Sequence, residues 1–245
     1  MTVNNYNLSN TENERLKALL NYNILDTGPE EEFDNITKLV AFICESPIAL
    51  ISLVDENRQW IKSSFGFKPQ EIPRKMSFCQ HTISGSEIYE IQDTLESSIF
   101  KENPFVANAP RIRFYAGHPL TTPEGYNIGA LCVVDRIPKK LNNDQKLALT
   151  ILAKHVMSIL ELRNKNLILL NKVEDLSKEA LEKITLELES YKLALDETSG
   201  VIISDNHGTI IFVNEETCRT SKYSREELIG QQSTIFDSGY HSQSF

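Results

Sequence analysis

The sequence lacks a long hydrophobic run, a basic cluster and a secretion-type start, and each absence argues against a class of function. No stretch approaches the roughly 18 consecutive apolar residues of a membrane span, so no membrane association is expected. Residues 1–14 are polar and acidic, not basic and then apolar, which predicts a cytoplasmic protein. With 25 Lys and Arg against 34 Asp and Glu, the net charge of −9 repels phosphate backbones, so nucleic acid is not an expected partner.

Cysteine is also scarce, and no C-x-x-C pair occurs. The four cysteines lie far apart in the chain: Cys44, Cys79, Cys132 and Cys218. This spacing indicates reduced thiols and not a disulfide framework. A zinc site built from Cys79, His81, His118 and Cys132 is disfavoured, because C-x-H is not the usual ligand spacing. We therefore predict no metal site.

Hydrophobic periodicity predicts a first domain with helices at both ends and an antiparallel sheet between them. Helical spacing is found over 12–21 and 30–44. Expected strands are 48–54, 58–65, 87–91, 113–120 and 128–135, the first two forming a hairpin. Ile48–Val54 and Ile128–Val134 are apolar on both alternations, so both faces of these strands should be covered. The order predicts an α+β fold in which helices cover one face and long connections, 66–86 and 93–111, the other.

From Asn142 onward the period stays helical for about fifty residues. Its apolar residues recur mostly at intervals of three and four, which is typical of a coiled-coil seam. The seam residues are Leu162, Leu169, Val173, Leu176, Ile184, Leu188 and Leu195, with Ala180 and Tyr191 between them. Three successive four-residue steps between Leu176 and Leu188 resemble a stutter. We predict a parallel homodimer through this helix; the alternative is that the stripe packs on its own domain.

After Gly200 the pattern predicts a second hairpin, 201–205 with 209–213, followed by short helices near 215–219 and 225–228. Two strands and a few helical turns are too little for a stable domain. The second domain is therefore expected to be incomplete, with an output domain missing beyond Phe245.

Six segments of the first domain carry a family resemblance: Ile24–Thr27, Ala49–Asp55, Arg58–Trp60, Ser77–His81, Arg113–Gly117 and Gly129–Asp135. Through them, residues 12–163 resemble a GAF domain of the type common in bacterial sensor histidine kinases and diguanylate cyclases. Asp205–Asn214, Tyr223–Gly230 and Ser238–His241 resemble the first half of a PAS domain. The expected organisation is a polar tail (1–11), a GAF domain (12–160), a signalling linker helix (161–196) and a partial PAS domain (197–245).

The resemblance implies a small-molecule pocket, and its candidate residues are Trp60, Cys79, His81, Tyr115 and His118. They combine aromatic walls with a few polar groups, as ligand sites do. The alternative is that Trp60 and Tyr115 fill the core and His118 is a satisfied core or wall residue. Cys79 and His81 could form an activated thiol pair, but a buried Cys beside a His that hydrogen-bonds to nearby backbone is the favoured interpretation.

No specific cofactor is predicted. The chain has neither the Cys-His pair of bilin-binding GAF domains nor the Asn-Lys-Phe-Asp-Glu set of cyclic-nucleotide GAF domains. In the PAS-like segment, Ser233 stands where photoactive flavin domains have their reactive cysteine.

Three functions are compatible with these features. The first is a non-catalytic sensory region that relays a pocket signal through the dimeric helix to PAS and an output domain, a histidine kinase or else a diguanylate cyclase. The second is a thiol-dependent small-molecule reductase with Cys79 as nucleophile. The third is a dimerisation scaffold without a ligand.

Overall fold

The computed structural model describes residues 5–68 and 71–236, with side chains from residue 11 onward. Contacts divide the chain into two compact units, one through Leu169 and the other from Leu170. The helices of the first unit are α1 (Asn5–Asn21), α2 (Glu31–Ile43), α3 (Cys79–Thr82), α4 (Pro104–Ala107) and the beginning of α5 (Asn143–Thr198). Its strands are β1 (Ile48–Val54), β2 (Arg58–Phe65), β3 (Ile72–Pro73), β4 (Tyr89–Ile91), β5 (Phe114–Thr121) and β6 (Asn127–Asp135).

The six strands form one antiparallel sheet in the order β3-β2-β1-β6-β5-β4. The doubly apolar strands β1 and β6 lie side by side at its centre, with Ile48 opposite Val134 and Leu53 opposite Gly129. This confirms the predicted α+β class and the antiparallel sheet flanked by helices. The largest difference in bounds is that α1 begins at Asn5, within the expected polar tail; the predicted strands differ by at most two residues at their ends. The two-residue strand β3 was too short to predict.

Helices α1, α2 and α5 cover one face of the sheet, which we call the helix face. Its core joins Leu19 of α1, Phe33 of α2 and Leu149 of α5 to inward residues of the strands, such as Leu131 of β6. Periodicity explains this arrangement: α5 buries Leu149, Ala153, Val156, Met157 and Leu160, spaced by one, three or four residues along one side of the helix.

The opposite face, which we call the loop face, is covered by short helices and irregular segments. Phe78 stacks on Phe100, with ring centroids 4.4 Å apart, and on Tyr115, at 5.2 Å. Val106 and Ile112 complete this layer against the sheet. The expectation that the long connections cover this face is confirmed.

Hydrogen bonds join two of the family-like segments, Ile24–Thr27 and Arg58–Trp60, to each other. In Ile24–Thr27, Asp26 accepts a hydrogen bond from Arg58 (2.7 Å) and Thr27 accepts one from the ammonium group of Lys62 (2.9 Å). Lys62 also donates to the carbonyl of Gly28 (2.7 Å) and to Glu30 (2.6 Å). These bonds fasten the turn between α1 and α2 to strand β2.

The second unit contains a hairpin of β7 (Ile202–Ser204) and β8 (Ile210–Val213), followed by α6 (Glu215–Ser221) and α7 (Arg225–Leu228). Its buried core is small and consists of Ile210, Val213 and Leu228, with Cys218, Ile235 and Phe236 packed against it. Ser224 and Glu227 form a capping box at the start of α7. The Ser238–His241 segment of the PAS resemblance lies outside the described residues. None of the described helices is long and apolar enough to cross a lipid bilayer.

Candidate functional site

A small cavity on the loop face contains the chemically distinctive side chains of the first unit. Its volume is about 40 Å³, more than the roughly 10–15 Å³ that one water molecule needs in a cavity. Its walls are mostly apolar side chains of β1, β6 and the covering segments. The polar or sulfur-bearing ones are Gln59, Met76, Ser77, Cys79, Tyr115 and Cys132.

Two buried thiols border this cavity. The Sγ atoms of Cys79, at the start of α3, and Cys132, in the middle of β6, are 3.9 Å apart. Both cysteines are only 1% exposed. The two residues are 53 positions apart in the chain, so the fold itself brings them together.

Tyr115 and Thr82 complete a hydrogen-bond chain to Cys79. The Tyr115 hydroxyl donates to Cys79 Sγ at 3.4 Å and lies 2.6 Å from the Thr82 hydroxyl. Because a phenol has one proton to donate, Thr82 must be the donor to Tyr115. Gly117 makes room for this arrangement, since a Cβ at that position would lie 2.4 Å from the Tyr115 hydroxyl oxygen.

This environment separates the acidities of the two thiols. The pKa of Cys79 is lowered, because the Cys132 thiol donates a hydrogen bond to its sulfur and Tyr115 adds a second. The same Cys79 hydrogen bond, together with burial, raises the pKa of Cys132 well above its usual value. Burial and the neighbouring Cys79 sulfur likewise raise the pKa of Tyr115. Cys79 is therefore the thiol of the pair that more readily becomes a thiolate.

A second polar chain lies beside the cavity and reaches Cys79 through Ser52, whose hydroxyl bonds to that thiol. Ser77 donates to the side-chain oxygen of Gln59, and Gln59 donates to the Ser52 hydroxyl at 2.8 Å. The Ser77 hydroxyl accepts from the backbone of Gln80 at 3.1 Å. In the described part of the chain, no buried side-chain nitrogen or oxygen is left without a hydrogen bond.

His81 lies beside the cavity and does not act on Cys79. The segment is helical, so Cys79 is buried while His81 is half-buried and turned to another side. Its ring packs edge-on against Phe100 at 4.9 Å and parallel to Tyr89 at 6.1 Å between centroids. Burial lowers the pKa of this imidazole, which favours its neutral form.

Two of the five predicted pocket residues lie on the other side of the sheet. Trp60 belongs to the helix-face core. His118 lies beside the Lys154 and Met157 positions of α5, and its Nδ1 is 2.8 Å from the Pro119 carbonyl oxygen. The prediction thus grouped residues of both faces, and the structure brings together Cys79, Tyr115 and, at the edge, His81.

Four residues at the site were not among the predicted pocket residues: Cys132, Thr82, Gln59 and Ser77. A signal for Cys132 was present, because it alternates along β6 with Leu131 and Val133 and so faces away from them. The partners of Gln59 could not be inferred in this way, since Ser77 lies in an irregular segment. Over the described residues, no group of three or more His, Cys, Asp and Glu side chains is arranged to hold a metal ion.

Comparisons with known proteins agree with this fold. The family model described as GAF domain matches residues 28–160. A cyclic di-GMP phosphodiesterase of Pseudomonas aeruginosa is 44% identical over 116 residues, which are 47% of this chain and 20% of that protein. This chain therefore matches about a fifth of that relative's length.

Solved structures with low sequence identity also align with part of this chain. The GAF domain of an Acinetobacter phosphoenolpyruvate-protein phosphotransferase aligns with a TM-score of 0.45 and 16% identity, over 61% of this chain and 92% of that domain. A domain assigned to a two-component sensor histidine kinase of Sinorhizobium meliloti aligns with a TM-score of 0.43 and 19% identity, over 56% and 94%.

Proposed function

Since the chain belongs to the GAF family, we propose that it forms the sensory input region of a bacterial signalling protein and has no catalytic activity of its own. The name of its Pseudomonas relative, a cyclic di-GMP phosphodiesterase, supports a signalling role. The proposed output is a histidine kinase domain, and the alternative is a domain that makes or degrades cyclic di-GMP. The region would act in the cytoplasm.

One observation carries this proposal: strand β6 is shared by the cavity and by the core under α5. Cys132 and Val134 border the cavity, whereas Leu131 and Val133 belong to the helix-face core. That core includes Leu149 and the neighbouring inward residues of α5. A displacement of β6 at the cavity therefore changes the packing under α5, because close-packed cores transmit small shifts.

The exposed side of α5 supports a dimer as the element that receives such a shift. All the predicted seam leucines, from Leu162 to Leu195, are at least 50% exposed in the single chain. Exposed leucines in this number along one helix are unusual for a monomer and typical of an interaction surface. We propose that they form the seam of a parallel homodimer.

The seam spacing continues toward the start of α5. Leu152, His155 and Ile159 continue the spacing of three and four from Leu162, and they line a surface groove against α2. Two polar positions, His155 and Asn166, interrupt the seam. Polar residues at seam positions specify register and oligomeric state at some cost in stability, which fits a signalling helix.

The dimer is tested by light scattering on the full chain at tens of micromolar, about the range where such helices pair. Leu176→Glu and Leu169→Glu each place an unpaired charge in the seam and should shift the chain to monomer. Leu186→Glu is the matched control, because Leu186 is 67% exposed and lies on the opposite side of the helix from Ile184 and Leu188. A monomeric parent chain, or equal loss of dimer in the control, would contradict the proposal.

For the second unit we propose the first half of a PAS domain. The order of hairpin and two short helices supports this assignment, as does the small core around Leu228. Ile202, Ile203, Ile211 and Phe212 stay exposed at 37–57%. A longer chain that supplies further strands should bury these four residues, and their amide exchange should then slow markedly.

The cavity argues against the reductase alternative. Cys79 is 1% exposed, and a cavity of about 40 Å³ has no room for an organic substrate, because ligand pockets usually measure about 300 Å³ or more. For the same reason an organic signal molecule would have to displace the covering segments. A signal of nearly the size of water fits the described structure better.

A further inference from the structure

We propose that hydrogen peroxide oxidises Cys79 and Cys132 to a reversible disulfide, which makes the cavity of the loop face an oxidant-sensing site. The proposal that oxidation at this site is relayed to α5 rests on the function proposed above. Formation of the bond does not depend on that function and can be measured separately.

The geometry favours bond formation without rearrangement of the fold. The two sulfurs are 3.9 Å apart and must approach to about 2 Å in a disulfide, a change within reach of side-chain rotation and a small shift of α3. Cys79 belongs to a four-residue helix in the irregular layer, which can adjust more easily than the central strand that holds Cys132.

The cavity gives a small oxidant access to both sulfurs. Cys79 and Cys132 both line it, and its volume of about 40 Å³ is sufficient for one molecule slightly larger than water. Hydrogen peroxide meets this limit, whereas a hydroperoxide with a branched alkyl group exceeds it. Size therefore distinguishes oxidants at this site.

The reaction balances with peroxide as the only added reagent. The Cys79 thiolate attacks one peroxide oxygen, the O–O bond breaks, and hydroxide leaves and takes up the Cys79 proton to form water. The sulfur of Cys132 then attacks the resulting sulfenic sulfur, the S–O bond breaks, and the Cys132 proton leaves with the hydroxide as a second water. Two thiols and one peroxide thus give one disulfide and two waters.

Tyr115 positions the attacking sulfur. Its hydroxyl donates to Cys79 Sγ and accepts from the Thr82 hydroxyl, so it stabilises a thiolate at this buried position. Tyr115 does not react with the oxidant, and we regard it as a positioning residue.

The other two cysteines serve as internal references. Cys44 is buried in the helix-face core, and burial raises its pKa to about 11, which disfavours the reactive thiolate. Cys218 is half-buried in the second unit. The sulfur–sulfur contact of the described structure joins Cys79 to Cys132.

The test treats the full chain, carrying Cys218→Ser to prevent crosslinks between copies, with hydrogen peroxide under native conditions. Non-reducing peptide mapping should find a Cys79–Cys132 crosslink with a mass loss of about 2 Da that a thiol reductant reverses. tert-Butyl hydroperoxide should oxidise the pair at no more than about one tenth of the rate with hydrogen peroxide, as a modest steric barrier predicts. Oxidation of Cys44 without the crosslink, or a crosslink that forms only in denaturant, would overturn the proposal.

Two variants distinguish the reaction from accidental oxidation. Cys132→Ser should leave Cys79 as a sulfenic acid, because no second thiol remains to displace the hydroxide; dimedone present while the oxidised protein is unfolded should capture it. Tyr115→Phe should lower the oxidation rate several-fold and move its pH profile to higher pH, whereas a merely structural role would leave the profile in place. An unchanged profile together with an unchanged rate would remove Tyr115 from the site.

A second readout separates this proposal from the sensory function. Light scattering and amide exchange of α5 are compared for the oxidised and reduced chain. A crosslink that changes neither would overturn the relay to α5 and leave the oxidation site standing. A stable dimer without any crosslink would overturn the oxidation site and leave the sensory function standing.

Discussion

The two faces of the sheet are built from the same strands but differ in what covers them. On the helix face, long helices pack regular rows of apolar side chains against the sheet. On the loop face, short helices and irregular segments leave a cavity bordered by thiols, a tyrosine and a buried polar chain. Irregular covering segments can place polar groups and space where helices pack tightly, and binding or reactive residues are often found there.

The largest expected effect compares two isoleucines on strand β1. Ile51 belongs to the helix-face core and Ile48 lines the cavity, and both are almost fully buried. Ile51→Ala should lower the free energy of unfolding by about 4 kcal/mol, and Ile48→Ala by about 2 kcal/mol, because Ile48 already borders empty space and the irregular cover can collapse. Urea unfolding measures both; equal losses would contradict a difference in packing between the faces.

A smaller effect concerns the buried polar chain. Gln59→Leu removes both the acceptor of the Ser77 hydroxyl and the donor to Ser52, and should cost about 2 kcal/mol because buried hydroxyls lose their partners. Gln145→Leu is the matched substitution beside the helix face. There the side chain is partly exposed, so water can replace its bonds to Ile43 and Asn142. The free energy of unfolding of the Gln145→Leu variant should differ from that of the parent chain by less than about 1 kcal/mol.

The smallest effect concerns the ion pairs that join α1 to the segment leading to the loop face. Glu12 binds Arg15 (2.7 Å) and Arg74 (2.6 Å), and these bonds lower its pKa from 4.5 to about 2. A carboxyl group with a depressed folded-state pKa stabilises the fold above its unfolded pKa. This stabilisation should be lost as the pH falls from about 4.5 to about 2.

Because Glu12 is partly exposed, solvent screening limits the contribution to about 1 kcal/mol. Glu12→Gln should remove this part of the acid sensitivity in urea unfolding at several pH values. Glu14→Gln, at an exposed pair with Lys17, is the control. Identical acid sensitivity in both variants would show that the Glu12 pairs do not contribute.

The sequence predicted the helix face better than the loop face, for a physical reason. Helix α5 was predicted from its period of 3.6 residues, and β1 and β6 from short continuous apolar runs, all with small errors at their ends. In strand β5, residues an even number apart face the same side of the sheet. The positions of Phe114 and Leu120 therefore already indicated the side on which His118 lies. The contacts of Cys79 with Cys132 and Tyr115 depend on an irregular segment, and no period encodes its path.

Lys62 offers a consequence of a different kind. Its ammonium group is enclosed by Thr27, Gly28 and Glu30, all within 2.9 Å, and its side chain is 1% exposed. Each of the three ammonium protons thus has an acceptor. Amine-labelling reagents should spare this one lysine while the domain is folded and modify it as soon as strand β2 detaches. The labelled fraction at Lys62, read by mass spectrometry, would then report the unfolded population of the first unit in a crude lysate without a fusion tag or an engineered residue.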